Sequence, residues 1–381
     1  MHVRPLLNMF EAKASQYGKI SRSEFVAPYW AKNPHIQTIF PKFVFKAPQV
    51  SFERQRINTP DGDFLDLGVL LPNDDEQNSN QQNADEQNTN SSHPQTSNLQ
   101  PPYIKQTSMR IAVLFHGLEG SENSHYIQHL AHHLSEQNIA TIVMHFRGCS
   151  GEVNRTPRAY HSGETSDAQH CLAWIREKFP TAQVFAVGFS LGGNMLLKLL
   201  AENTDIDLQA AVSVSAPICL SASSQAINKG FAKRYQKHLL KSMQQNLLSK
   251  MAKIDMRAHL DIQPEDVEGL STFWLFDEHV TSKLHGFINA DDYYARCSAL
   301  PMLKNIQIPS LIIHAADDPF MDSRVIPNAD QLSDFTAYEL SEHGGHVGFF
   351  YGAGLSSLLS AHSSAQFWLP QRIIGFIQEH S

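Results

Sequence analysis

The sequence predicts an α/β fold: a mostly parallel central sheet flanked by helices, with a helical cap inserted between two core strands. Three observations carry this. Short apolar runs alternate with amphipathic segments from Arg110 onward, the pattern of strands buried on both faces and joined by crossover helices. The pentapeptide Gly188-Phe189-Ser190-Leu191-Gly192 stands where one apolar run ends and a helical pattern begins. The alternation breaks over residues 217–305 and then resumes.

Taken in order, Val50–Asn58 and Phe64–Leu71 read as two strands, and Thr59-Pro60-Asp61-Gly62 between them is a turn. Proline presets φ and glycine tolerates positive φ, so a β-hairpin results. Arg110–Phe115 is a strand ending in His116-Gly117, and Tyr126, Ile127, Leu130, Ala131 and Leu134 recur at helical spacing within His125–Gln137. Ile139–Phe146 is the next strand, and Ala168, Cys171, Leu172 and Ile175 mark the next helix. Val184–Phe189 is a strand followed at once by a helix start at Gly192. Ala210–Val214, Ser310–His314 and Thr336–Leu340 are further strands, and Gln366–His380 is an amphipathic closing helix.

Four regions follow from this reading. Residues 1–48 form an N-terminal segment packed on the core, within which the Pro- and aromatic-rich stretch Ala27–His35 is read as irregular. Residues 49–216 are the first part of the core. From Asn73 to Gln100 almost no apolar residue occurs, so 73–108 is expected to be a disordered polar insertion, unable to offset its ordering entropy by burial. Residues 217–305 are the cap, with a helical, lysine-bearing stretch (Asn228–Lys253) and an aromatic one (Phe273, Trp274, Phe276, Phe287, Tyr293, Tyr294). Residues 306–381 complete the core.

Bulk properties exclude several classes. The chain has 381 residues, 42% of them hydrophobic, enough for a sizeable core. With net charge −8 and no basic stripe, nucleic acid is not expected as a partner. Cys149, Cys171, Cys219 and Cys297 are scattered without a CxxC pair, which fits a reduced, cytoplasmic protein. Met1–Phe10 lacks a signal-peptide pattern, and no apolar run reaches the roughly 18 residues of a membrane span. The 20 histidines show neither HExxH nor paired metal spacing. Most are read as surface residues. No metal or other cofactor and no obligate protein partner is expected.

The chemistry centres on Ser190. GxSxG between a strand and a helix is the context of a nucleophile elbow, in which small neighbours allow a tight turn that lifts the serine above the sheet edge. This narrows the class to the α/β-hydrolase fold, whose chain order is Ser, then Asp or Glu, then His. The acid is sought at the end of the strand leading to Asp317-Asp318-Pro319. Asp318 is preferred because it directly precedes the proline turn, with Asp317 as the alternative. The base is sought in His343-Gly344-Gly345-His346. His346 is preferred because the glycine pair lets the loop carry it over Ser190, with His343 as the alternative. The oxyanion hole needs two backbone amides, expected from Leu191 and Leu118. His116 is read as shaping its loop rather than as a base.

These residues resemble the YheT-type α/β-hydrolases, also called AB-hydrolase family 4. The likeness includes Tyr29-Trp30 with Asn33-Pro34-His35-Ile36-Gln37-Thr38, and His116-Gly117-Leu118-Glu119-Gly120-Ser121. It continues through Phe146-Arg147-Gly148-Cys149-Ser150-Gly151 and Tyr160-His161-Ser162-Gly163-Glu164-Thr165 to the Ser190, Asp317-Asp318-Pro319-Phe320 and His343–Phe349 segments. The resemblance places the catalytic residues at Ser190, Asp318 and His346. It implies hydrolysis of carboxylic esters, short- to medium-chain or acylglycerol-like. Transfer of the acyl group to an alcohol is the alternative, and a non-catalytic binding protein is the alternative of another class. Bacterial members of the family have no settled substrate.

Outside the site, Arg147 and Glu164 are read as a buried ion pair that orders a loop, with recognition of an anionic substrate group by Arg147 as the other reading. Asn33, Pro34 and His35 are read as fixing the N-terminal segment. Phe273, Trp274, Phe276, Phe287, Phe349 and Phe350 are core or acyl-pocket residues. Lys229, Lys233, Arg234, Lys237 and Lys241 are read as a solvated cap face, with weak contact to an anionic membrane surface as the other reading.

Overall fold

The structure is a computed structural model and describes residues 16–44, 47–72, 108–351 and 367–381. The polar insertion expected over 73–108 lies outside the described residues apart from residue 108, as do residues 1–15 and Gln366.

Among the described residues, nine strands form one sheet. They are β1 (Lys19–Arg22), β2 (Glu53–Asn58), β3 (Phe64–Leu70), β4 (Arg110–Phe115), β5 (Ile139–Met144), β6 (Gln183–Phe189), β7 (Ala210–Val214), β8 (Ser310–Ala315) and β9 (Thr336–Ser341). Their order is β1-β9-β8-β7-β6-β4-β5-β3-β2. β2 and β3 pair antiparallel, as do β3 and β5, and the other pairs are parallel. The apolar runs continue through the middle strands because both faces are covered. Ile111, Val113 and Phe115 of β4 point into one apolar cluster, and Ala112 and Leu114 into the other.

The helices cover those two faces. We label them α1 (Pro34–Val44), α2 (His125–Glu136), α3 (Ser166–Lys178), α4 (Leu191–Glu202), α5 (Leu220–Ile227), α6 (Lys233–Met251), α7 (Ala290–Cys297) and α8 (Trp368–Glu379). α3 and α4 bury Ala168, Cys171, Ile175, Met195, Leu196 and Leu199 on one face. α2 and α8 bury Ile127, Leu130, Leu134, Ile373 and Phe376 on the other. Each such side chain contributes roughly 1.5–3 kcal/mol when fully buried. Between β7 and β8, α5, α6, α7 and short helical turns intervene. Leu240, Leu247, Met256, Val267 and Phe276 form a separate small core there.

Ala27–Asn33 holds only a short turn at Tyr29–Ala31, but regular elements flank it. β1 joins the sheet edge, in register Ile20↔Tyr338, and α1 starts at Pro34. Proline is favoured in a first helical turn because the amide it lacks has no helical acceptor there. Pro41, near the other end, leaves the Gln37 carbonyl without its donor. That carbonyl faces Gly348, where a side chain would collide with it.

The expected Arg147–Glu164 pair does not form. The Arg147 side chain is 1% exposed and bonds Asp167 Oδ2 through Nε (2.7 Å), with Asp61 Oδ2 (2.8 Å) and Asp63 Oδ2 (3.3 Å) on Nη1. Glu164 instead accepts from Arg158 and Ser166. The cause is topological. β3 runs antiparallel beside β5, with Leu67 opposite Met144, so the turn before β3 lies beside the residues that follow β5. With three carboxylates around it, the guanidinium is committed to the fold rather than to an anionic ligand. Asp63 also accepts from Asn154, Arg155 and Thr156.

Most of the described histidines reach the surface as expected, but six of them do not. His116, His129, His133, His145, His161 and His314 are buried. The sheet ends and α2 carry them inward. His116 Nδ1 donates to the Gly117 carbonyl (2.8 Å), and its Nε2 accepts from Phe146 N (3.2 Å), so the neutral ring pins two loops. Burial pushes His116 and His129 down to about 3, and His314 to about 4.

Two predictions follow from these groups. Arg147→Met leaves buried carboxylates unpaired and should cost about 3–5 kcal/mol; an unchanged thermal midpoint would refute the structural role. The unfolded histidines, with the ordinary imidazole pKa of about 6.5, bind protons that the folded ones refuse. Unfolding therefore takes up protons as pH falls below that value, and stability drops. The thermal midpoint should hold above about pH 7 and fall between about pH 6.5 and 4; a midpoint constant across that window would contradict the burial of these rings.

Candidate active site

Ser190 lies between β6 and α4 with φ +50° and ψ −119°. Positive φ is strained for a non-glycine residue and is held here by surrounding contacts. Ser190 N donates to Val214 O at the end of β7 (2.9 Å), and Gly193 N and Asn194 N donate to Ser190 O. Gly192 passes directly under the β4 loop, where any side chain would strike the carbonyl oxygens of Phe115 and His116. Asn194, fully buried, ties α4 to the carbonyls of Ser162 and Cys297.

The loops after β8 and β9 bring two acid–histidine pairs alongside each other. His346 Nε2 is 2.9 Å from Ser190 Oγ, and His346 Nδ1 is 2.8 Å from Asp318 Oδ2. The Asp318 side chain is 1% exposed, and its other oxygen accepts from Phe320 N (2.8 Å). Asp317, the alternative acid, accepts from Gly345 N (2.9 Å) and lies 3.3 Å from His343, the alternative base. Burial raises the Asp317 carboxyl. Asp317 and His343 thus brace the glycine loop, while Asp318 and His346 meet Ser190.

Several residues that hold this geometry were not legible as site residues. Phe320 stacks on the His346 ring, with centroids 3.9 Å apart and planes 11° apart. Thr38 Oγ1 accepts from His346 N (2.9 Å) and donates to Pro34 O (2.7 Å). Gln37, buried in α1, donates to the carbonyls of Ala31 and Phe350 and accepts from Phe350 N. Gly345 has φ +58°, and a Cβ there would lie 2.5 Å from Pro34 O. α1 is therefore a wall of the histidine loop. Gln37 and Thr38 stand in the run Asn33-Pro34-His35-Ile36-Gln37-Thr38 that carries the family resemblance, but the sequence assigns a fixing role only to Asn33, Pro34 and His35. Asn33 Oδ1 accepts from His35 N, and His35 itself meets Tyr235 of α6 at 3.1 Å.

Leu191 is the first residue of α4, a position where the amide has no intrahelical acceptor. Leu118 lines the same cleft as Ser190, Leu191 and His346. The amides on either side of Leu118 are engaged: Gly117 N donates to Tyr126 Oη (2.8 Å) and Glu119 N to Tyr160 Oη (3.0 Å). Tyr160 Oη in turn donates to Glu119 Oε1 (2.7 Å), so the loop is clamped at both ends.

The cleft has a cavity volume of about 190 Å³. Its apolar walls come from the helices between β7 and β8, including Leu239, Met243, Leu247, Phe273, Phe276 and Leu284. Of the other aromatics singled out from the sequence, Phe349 and Phe350 are core, Trp274 is 41% exposed, and Phe287 packs on His161 and Tyr293. A polar patch of the cleft wall holds Asp277, which accepts from Thr281 and Tyr294 and is pushed up to about 6 by burial. A second cleft reaches Ser190 and His346 from the side of α1.

The α/β-hydrolase fold family matches residues 113–353. The YheT protein of Escherichia coli (strain K12) is 40% identical over 354 residues, which cover 93% of this chain and 92% of that one. The human phospholipase ABHD3 is 26% identical over 328 residues, covering 85% and 73% respectively. A monoacylglycerol lipase of Saccharomyces cerevisiae is 27% identical over 246 residues, covering 62% of this chain and about half (54%) of its own length. With its sheet order, its strand–serine–helix turn and these matches together, the chain belongs to the α/β-hydrolase fold family, among the relatives of YheT.

Proposed function

We propose that the chain is a serine hydrolase that cleaves carboxylic esters, with Ser190 as nucleophile, His346 as base and Asp318 as its orienting acid. One observation carries the reading: a single imidazole is within hydrogen-bond reach of both the elbow serine (2.9 Å) and a buried carboxylate (2.8 Å). A serine hydroxyl is a poor nucleophile until a base takes its proton. Asp318 selects the tautomer with hydrogen on Nδ1, which leaves the Nε2 lone pair facing Ser190.

In this mechanism Ser190 Oγ attacks the ester carbonyl carbon and its proton passes to His346 Nε2. The carbonyl oxygen becomes an oxyanion, received by the amides of Leu118 and Leu191 at the start of α4, where the helix dipole favours negative charge. Collapse breaks the bond to the alkoxy oxygen, which leaves as the alcohol with the proton from His346. Water then gives a proton to His346 and attacks the acyl-enzyme; the acid departs and Ser190 regains its proton. No metal or other cofactor is called for. Transfer to an alcohol would share the acyl-enzyme; hydrolysis is the reading adopted.

The apolar cleft supports an acyl ester as substrate, with the chain lying against the Leu239, Met243, Leu247 and Phe276 side chains. The names of the yeast and human relatives, a monoacylglycerol lipase and a phospholipase, point the same way toward lipid acyl esters. The helical segment between β7 and β8 acts in this reading as the cap that encloses the chain. No helix among the described residues is long and apolar enough to cross a membrane.

Ser190→Ala should lower turnover of a p-nitrophenyl acyl ester by roughly 10⁴-fold or more, and a fluorophosphonate should label Ser190 of the native chain. Near-native activity of the variant would sink the proposal. The two aspartates separate cleanly. Asp318→Asn should lower kcat about 10⁴-fold with the fold intact, because the wrong tautomer faces the serine. Asp317→Asn should retain most of the activity, its contacts being to Gly345 N and His343. The reverse ranking of the two kcat values would reassign the acid.

A further inference from the structure

The distribution of charge points to a docking surface at the mouth of the α1-side cleft. The chain carries net charge −8, yet the stretches 25–52 and 208–254 contain several cations and no acidic residue. The first holds Lys32, Lys42 and Lys46; the second holds Lys229, Lys233, Arg234, Lys237, Lys241, Lys250 and Lys253. They lie far apart in sequence, and the fold sets them side by side. His35 of α1 packs its ring on Phe231 (centroids 4.5 Å apart) and on Tyr235 (5.8 Å). Thr38, Pro41 and Lys42 of α1 and Leu239 of α6 line one cleft, with Phe320, Ser190 and His346 inside it.

The side chains around that opening have the composition of an interfacial surface. Lys233, Lys237 and Lys241 recur every four residues and form one exposed stripe along α6. Arg234 lies over the Phe231 ring, 4.7 Å from its centroid. Lys32, Lys42 and Lys229 are exposed as well. Among these cations stand exposed aromatics: Tyr29 (90%), Phe43 (77%) and Phe231 (42%). Lys250, the buried cation of α6, is taken by the carbonyls of Thr156, Pro157 and Arg158 and belongs to the cap's interior.

We propose that this face, built from α1 and the N-terminal half of α6, docks the protein on an anionic lipid bilayer, with the cleft that leads to Ser190 opening toward the lipid. Cations contribute electrostatic attraction to acidic headgroups, and aromatic rings insert at the headgroup boundary. The remaining surface carries the chain's net negative charge and is repelled, so attraction and repulsion together set the orientation. Nucleic acid would also meet the cations, but it offers no apolar layer for Tyr29, Phe43 and Phe231. The functional part of the inference rests on the ester-cleaving reading of Ser190; the binding part does not.

Binding is therefore measured apart from turnover, with the full-length Ser190→Ala chain so that lipid is not consumed. Sedimentation with vesicles of equal parts phosphatidylcholine and phosphatidylglycerol should carry the protein down. Vesicles of phosphatidylcholine alone should not. Raising salt should release it, since attraction from exposed cations falls off within a Debye length. Lys233→Gln, Lys237→Gln and Lys241→Gln combined should weaken partitioning by about fivefold per cation, on the order of a hundredfold in all. In the Ser190 background without the alanine change, the same triple variant should hydrolyse a soluble p-nitrophenyl ester at the native rate. Equal partitioning to both vesicle types, or unchanged partitioning of the triple variant, would overturn the proposal. So would tight binding to duplex DNA without vesicle binding. Loss of soluble-ester activity in native protein with vesicle binding intact would count against the Ser190 reading alone.

Discussion

The imidazole of His346 spans 2.9 Å to Ser190 and 2.8 Å to Asp318. Both hydrogen bonds can coexist only if three separate loops hold their places to within a few tenths of an ångström. Ser190 is held by the β6–α4 turn, Asp318 by the end of β8 and His346 by the end of β9. The parallel sheet aligns those three ends on one edge, because β6, β7, β8 and β9 run side by side in one direction. In open sheets of this kind, ligand sites form beyond the carboxyl ends of the strands.

The sheet alone leaves the histidine loop free to swing, and the remaining constraint comes from other contacts. α1 presses on the loop through Thr38, Gln37 and the carbonyl of Pro34, at glycine positions that admit no side chain. Asp317 holds the Gly345 amide, and Phe320 covers the imidazole face. On the opposite side, Tyr126 and Tyr160 clamp the loop containing Leu118. Further out, the Arg147 cluster ties the hairpin turn to α3. The interior polar groups of this protein are thus largely spent on positioning loops. Burial makes that effective, since a hydrogen bond left unmade away from water costs about 1–3 kcal/mol.

The strands from β4 to β8 are legible as apolar runs because the middle of the sheet is covered on both faces, while β2 and β3 are marked by the Thr59-Pro60-Asp61-Gly62 turn between them. β1 is neither. Its residues, Lys19-Ile20-Ser21-Arg22, lie at the sheet edge with little burial, so no hydrophobic pattern marks them. α1 was obscured by its prolines, which act as a start signal at Pro34 and are tolerated at Pro41. The histidines were misjudged because burial of a neutral ring depends on which nitrogen finds a partner, as at His116. Arg147 pairs with carboxylates other than Glu164 because Asp61 and Asp63 arrive from the turn before the neighbouring antiparallel strand and Asp167 from the first turn of α3.

By itself the sequence determined the strand–helix alternation, the serine turn and the order of the candidate acid and base along the chain, all of which are local patterns or follow from chain order. Which aspartate faces which histidine was decided only by tertiary structure. Asp317 and Asp318 are adjacent, so composition and spacing barely distinguish them, while successive side chains point in different directions. The gathering of cations around the cleft was decided there as well. Residues 25–52 and 208–254 are each acid-free in the sequence, but α1 and the start of α6 come together only because His35 meets Phe231 and Tyr235 across the fold.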